Sequence, residues 1–434
     1  MTSMAAGLRP VWAEVDVAAV RHNTAVLRRA VAPSSLCAVV KADAYGHGAP
    51  AVARAALEAG ATWLAVALVD EGVALRRAGI DGPPVLLLAE PPPAAMATAV
   101  AARLVPTLYT RRGLAAAASA ARQAGTELPV HVKVDTGMHR VGADPHDAVT
   151  LAAAVAAEPS LRLQGLWTHL AVAESPSPED RAFTAEQVRR FDRVVAEVRG
   201  MGVDVPLVHA ANSAGALVHP ATRYDLVRAG IALYGELPSP AVADALARSG
   251  AGSVRPVLSW RARVSFVRDL PAGARPSYGR ARPLDRPARV ATVPVGYADG
   301  VPRRYFTAGG TVLVGGRRRP LAGTVTMDQI LVDCGSDPVA VGDEVVLIGR
   351  QGREQLTAGD WAGVLGTISY EVLCGIGPRV PRVVVDGAAH PPDARGPEGA
   401  VPEPTGGGSG PTDAVVEPGG DQPVPTGDVR GPTR

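Results

Sequence analysis

In the stretch Ala38-Val-Val-Lys41-Ala-Asp-Ala-Tyr45-Gly-His-Gly48 a lysine closes an apolar run, and a glycine-bearing turn with a tyrosine and a histidine follows. A lysine amine serves as a nucleophile or base only when it is held neutral, which burial or neighbouring cations achieve. Without such surroundings the same residue is a strand-end lysine reaching solvent. Further polar residues stand at comparable places, at the ends of apolar runs. They are Lys133 with Asp135 in Val132-Lys133-Val-Asp135-Thr-Gly-Met-His-Arg140, and His169 in Thr168-His169-Leu170. His209, Asn212 and Ser213 follow in Val208-His209-Ala-Ala-Asn212-Ser213, and Arg228 with Gly230 and Ile231 in Leu226-Val-Arg228-Ala-Gly230-Ile231. A lone histidine is more often a satisfied core residue, Lys133 also reads as a lysine paired with Asp135, and Gly230 also reads as a turn glycine.

The elements that would position these residues form a rhythm from about Leu36 to Gly235, in which Val/Leu-rich runs alternate with Ala-rich stretches of helical spacing. Candidate strands are Cys37–Lys41, Trp63–Leu68, Pro84–Leu88, Val105–Tyr109, Val130–Asp135, Gln164–His169, Leu207–Asn212 and Leu226–Ile231, eight in all. The clearest helix covers Glu179–Arg199, where Val188, Phe191, Val195 and Val198 share a face. Continuous apolar runs suit parallel strands covered by helices, so residues 10–238 are predicted to form a (β/α)8 barrel with its polar residues on one rim. Past Leu237 the runs Val257–Val267, Arg289–Val295, Thr311–Val314, Ile330–Val332 and Glu344–Ile348 predict a mainly β domain over 239–385. Residues 386–434 collect Pro, Gly, Ser, Asp and Glu without apolar periodicity and are expected to be a disordered tail.

A chain of 434 residues with 47% hydrophobic and 20% charged residues suits a soluble, multi-domain protein with a sizeable core. The net charge of +2, without a basic block, argues against a nucleic-acid groove. Cys37, Cys334 and Cys374 form no CxxC pair, so neither a disulfide framework nor a structural metal site is suggested. Met1–Pro10 has no apolar signal core and no apolar run reaches membrane-spanning length, so a cytoplasmic location is expected.

The Lys41 string resembles the pyridoxal-phosphate (PLP) signature of the alanine racemases, and the resemblance extends over about residues 10–384. It implies that Lys41 carries PLP as a Schiff base, and that Tyr45, Asn212, Ser213, Gly230, Ile231 and Tyr370 bind the cofactor and its phosphate. His169 and His209 would link to Arg228 beneath the pyridine ring. A permanently charged guanidinium there does not support a protonated pyridine nitrogen, which weakens the electron sink and disfavours transamination. Arg140 would contact the substrate, held by a Lys133 carbamylated as often in the family. Pro276-Ser-Tyr278-Gly-Arg280 resembles the motif whose tyrosine is the second catalytic base. Val295-Gly-Tyr297-Ala-Asp299-Gly300 would line the substrate entrance. Val325-Thr-Met327-Asp328-Gln329 would bind substrate carboxylate through the Met327 backbone, with Asp328 supporting.

Racemisation needs a base on each face of the α-carbon. The resemblance assigns Lys41 to abstraction from D-alanine and Tyr278, its pKa lowered through His169 and Arg228, to abstraction from L-alanine. The tyrosine would come from the partner in a head-to-tail homodimer, and the D-alanine would supply peptidoglycan synthesis. Rival readings are a PLP barrel decarboxylase, a broader-specificity racemase, or a non-catalytic PLP homeostasis protein. The Tyr278 string argues against the first, and the second domain against the last. Tyr297 and Tyr370 are expected to restrict the pocket to small side chains. Leu170, Ser369, Thr326 and Pro276 depart from the common family strings, none at a proposed base.

Overall fold

The computed structural model describes residues 9–387. Eight short strands, Ser35–Val39, Trp63–Val66, Val85–Leu87, Thr107–Leu108, Leu128–Lys133, Leu161–Trp167, Leu207–His209 and Leu226–Ala229, lie where the apolar runs are. They pair in parallel in two four-stranded groups. A bridge between Leu86 and Val105 joins the groups on one side. On the other, Asp225 N donates to Val208 O and Arg228 N to Ala211 O, which closes the barrel. Trp63–Val66, Val85–Leu87 and Leu226–Ala229 are buried at every residue, as strands packed on both faces must be. The helix expected at 179–199 spans Pro178–Gly200, with Ser177 capping its start and Phe191, Val194, Val195 and Val198 buried.

The second domain is built on a seven-stranded sheet and a three-stranded one. Strand Leu258–Arg263 alternates buried and half-buried residues, the period of a sheet with one covered face. Its core is mainly aliphatic, with Trp260, Tyr305, Phe306 and Trp361 buried in it. Trp361 stacks on Tyr305 at 4.0 Å and donates its indole N–H to Leu347 O at 2.8 Å. Three helices interrupt the expected β character, Pro240–Arg248, Ala358–Leu365 and Ser369–Cys374.

One boundary departs from expectation. Val11–Asp16, inside the range 10–238 expected for the barrel, lies in the second domain's sheet. It is antiparallel to Leu258–Arg263, with Ala13 opposite Trp260, and parallel to Arg382–Val385, with Val15 opposite Val384. An apolar run that is buried at all but one residue does not say which sheet the strand joins; the pairing does. The tail expected over 386–434 falls outside the described residues from 388 onward.

Candidate active site

A cavity of about 410 Å³ opens at the C-terminal end of the barrel strands, the end where barrel chemistry sits. Lys41, Tyr45, Lys133, Arg140, His169, Asn212, Ser213, Arg228, Gly230, Ile231 and Tyr370 all line it, joined by Val39, Leu88, Trp167 and Cys374. Of the residues singled out in the sequence, His209 sits behind this wall, while Tyr278, Tyr297, Met327 and Asp328 are not part of it.

Lys41 begins a turn of unusual hand. Ala42, Asp43, Ala44 and Tyr45 all have φ between 51° and 56°, a left-handed helical turn without a glycine in those four places. At about 1–2 kcal/mol per non-glycine residue, the surroundings must offset on the order of 4–8 kcal/mol. Glu71 accepts from Ala42 N at 2.5 Å and Asp43 accepts from Ala49 N at 2.7 Å. Arg382, on the last strand of the second domain, donates to Gly46 O at 2.8 Å. A Cβ on Gly46 would meet Leu373 O at 2.8 Å, so only glycine fits there. The turn projects Lys41 into the cavity, where burial and then Arg140 hold its amine below the usual lysine range.

Arg228 is buried and makes four bonds, all to neutral acceptors. Nη1 donates to His209 Nδ1 at 2.8 Å. Nη2 reaches Thr168 O at 3.0 Å, Ala210 O at 2.9 Å and His169 Nδ1 at 3.1 Å. Burial, then Arg228 itself, pushes both imidazoles well below the usual histidine range, so they stay neutral. With Nδ1 accepting, His209 carries its proton on Nε2 and donates to His131 Nδ1 at 2.9 Å. His131 is fully buried, is pushed down to about 3 by burial, and was not anticipated. The signal was available: His131 and Lys133 alternate on one strand and therefore share its inward face. Trp167 lies parallel to His209 at 5.6 Å, with the Arg228 guanidinium 4.6 Å from its ring.

Lys133 does not form the alternative pair with Asp135, whose carboxylate accepts from Gly137 N and His139 N instead. Its amine lies 4.4 Å from the Trp167 ring centroid, and burial, followed by Arg228 and Arg140, lowers it to about 7.

Opposite these cations, Gly230 N and Ala232 N donate to Ser213 Oγ at 2.9 and 3.3 Å. A Cβ at Gly230 would come within 2.6 Å of the Tyr45 hydroxyl, so glycine keeps this corner open. Burial raises the Tyr45 and Tyr370 phenols, which therefore remain O–H donors. This donor corner suits a phosphate, the neutral-leaning Lys41 amine suits an aldehyde, and the carboxylate-free Arg228 suits an unprotonated ring nitrogen. The residues present thus fit PLP. No cluster of metal-ligating residues occurs among the described residues.

The alanine racemase N-terminal domain profile matches residues 15–238 and the C-terminal domain profile residues 257–384. The chain belongs to the alanine racemase family. An alanine racemase of Symbiobacterium thermophilum is 46% identical over 377 residues, covering 87% of this chain and 97% of that one. The alanine racemase from D-cycloserine-producing Streptomyces lavendulae superposes with a TM-score of 0.80 at 40% identity, over 88% of this chain and 98% of that one. A histidine racemase from Leuconostoc mesenteroides subsp. sake superposes at 0.78 with 29% identity, over 88% of this chain and 99% of that one.

The family's remaining motifs gather on an exposed face of the second domain. Tyr278, Tyr297 and Met327 are 69%, 42% and 52% exposed. Ser277 Oγ donates to Thr324 O, Thr324 Oγ1 to Tyr278 O, and Tyr297 N to Thr326 O, which ties the three strings together. Asp299 is fully buried under Arg9 and Arg379, and Arg379 also holds Asp328 at 2.7 Å. Both arginines lie beyond the motifs and carried no signal in the sequence.

Proposed function

We propose that the protein interconverts L- and D-alanine, using PLP held at the barrel mouth and two bases drawn from two copies of the chain. The observation that carries this reading is the convergence on one cavity of Lys41, a carboxylate-free Arg228 and the donor corner at Ser213 and Gly230. When bound, PLP supplies the electron sink that makes an α-proton acidic enough to leave.

Lys41 anchors the cofactor, and its amine, once free, takes or returns the α-proton on one face. Tyr45, Ser213, Gly230, Ile231 and Tyr370 hold the phosphate, with Asn212 fixing the helix turn behind Ser213 by accepting from Gly215 N. Arg228, kept straight by His169 and His209, leaves the ring nitrogen without a proton donor other than a guanidinium. Arg140 meets the substrate carboxylate. Lys133 has a low pKa and lies among the positive fields of Arg228, Arg140 and Lys41, conditions that favour carbamylation and an anion to hold Arg140. Bicarbonate should therefore raise activity, and ¹³C-bicarbonate should give a carbamate signal that Lys133→Met lacks.

Tyr278 of the partner subunit, with that subunit's Met327 backbone and Tyr297, completes the opposite face. Three large side chains on one exposed face support a head-to-tail homodimer that covers them. Balanced charge, unpaired cysteines and the absence of a membrane-length apolar helix among the described residues support a cytoplasmic location. The product would serve peptidoglycan synthesis.

The deciding assay follows loss of optical rotation from L-alanine and from D-alanine, with the absorption band of bound PLP as the cofactor check. Because one structural relative is named a histidine racemase, the same assay is run on serine and histidine. Turnover of these at rates rivalling alanine would replace the alanine-specific reading by a broader one.

A further inference from the structure

Adjoining the turn that carries Lys41 is a second cavity, of about 10 Å³, lined by His47, Tyr234, Glu236, Gln355 and Thr357 among apolar neighbours. That volume admits the centre of about one water, provided polar groups face it. Two do. His47 is only 1% exposed, and its Nδ1 lies 2.9 Å from both Ala44 O and Tyr45 O, so Nδ1 carries the proton. Burial pushes the ring down to about 4 and keeps it neutral, which leaves Nε2 a bare acceptor; no partner for it exists among the described residues. Glu236, at the junction between barrel and second domain, has no side-chain hydrogen bond or ion pair among the described residues.

We propose that Glu236 and His47 share an internal water in this cavity, and that this bridge positions the Lys41–Gly46 turn against the domain junction. The role assigned to the turn rests on the reading that PLP is held by Lys41. Both residues are positioning residues: neither lines the large cavity.

The charges around the pair favour a neutral acid at Glu236. Burial, then the nearby Asp360 on helix Ala358–Leu365, raises its carboxyl to about 7. Asp360 is itself paired with Arg318 at 3.4 Å. Among the described residues, the other titratable groups lining the cavity are His47 and the Tyr234 phenol, which burial raises and whose hydroxyl is spent on Val39 O at 2.8 Å. Arg382 and Asp43 face His47, but the guanidinium is committed to the carbonyls of Gly46, Ile376, Gly377 and Val380. A protonated Glu236 donates to the water, and the water donates to His47 Nε2. Ionisation removes that donor and sets a second carboxylate near Asp360. The raised folded pKa makes the stabilisation complete below the ordinary carboxylate range and lost as pH rises through about 7.

The test uses the PLP-loaded protein. PLP release on dilution is followed by fluorescence between about pH 6 and pH 8, with melting curves and a high-resolution crystal structure. In the native protein release should quicken by about fivefold over this range. Relative to it, Glu236→Gln, which keeps the size and a donor but does not titrate, should remove that part of the slope; Glu236→Leu should release PLP quickly at every pH. Density for a water within hydrogen-bond distance of His47 Nε2 and Glu236 should be present. A Glu236→Gln slope equal to the native one, a folded Glu236→Leu that retains PLP normally, or a cavity without water would each overturn the proposal. Should the purified protein show no PLP band, the cofactor reading fails instead. The bridge is then decided by the water and by the melting-temperature gap between Glu236→Gln and the native protein, expected to widen from about pH 5 to pH 8.

Discussion

The barrel mouth and the exposed face of the second domain carry the family's motif residues in opposite states. At the mouth Arg228 is buried with its Nη donors engaged, His209 and His131 follow it in a hydrogen-bonded line, and Lys41 is fixed by a strained turn. On the other face the Tyr278 side chain is 69% exposed. A site meant to work within one chain would not leave its second proposed base in water. In the proposed homodimer, the first half of the site is organised by folding and the second by association.

Mutations break this comparison in decreasing order of effect. Lys41→Ala should abolish the bound-PLP band and reduce racemisation by about 10³–10⁴-fold or more, with a native melting curve. Tyr278→Phe should keep the fold and the cofactor yet lose about 10²–10³-fold, more from L-alanine than from D-alanine. Mixing these two inactive variants after subunit exchange sharpens the point: mixed dimers restore about one quarter of the native sites, whereas a single-chain site would show no recovery. Arg228→Met should cost about 2–5 kcal/mol of stability, measured by urea unfolding, because His209, His169 and two carbonyls lose their donor.

Lys133 gives a pH signature. Its folded pKa, about 7, lies below the free value of 10.5, so the unfolded chain binds more protons between those values. Stability should therefore rise with pH across that window and fall as pH drops towards 7, a slope that Lys133→Met removes in bicarbonate-free melting experiments. The smallest change is Ala42→Gly. Relief of the left-handed penalty, less the added chain entropy, should stabilise the protein by about 0.5 kcal/mol, while looser placement of Lys41 slows turnover.

Much of the mouth was legible because barrel strands end in polar residues, and Lys41, Lys133, His169 and Arg228 are those residues. His131 lies inside a strand rather than at its end, so only its shared face with Lys133 points to it. The hand of the Ala42–Tyr45 turn was hidden, since alanine and tyrosine carry no preference for positive φ; the turn is imposed by Glu71, Arg382 and Leu373, residues remote in sequence. Arg9 and Arg379, which bury Asp299, were equally silent, because an arginine's partner depends on where the chain returns.

The placement of Val11–Asp16 bears on how the molecule is made. This strand leaves the ribosome before the barrel, yet its neighbours are Leu258–Arg263 and Arg382–Val385, which leave after it. Throughout synthesis of the barrel it stays an unmatched edge, with Val11, Ala13 and Val15 bare, open to adhesion with another nascent copy. Chaperone demand should accordingly track the time needed to translate up to residue 385. Expression of the barrel alone, cut at residue 238, should yield aggregates unless those first residues are removed with the second domain.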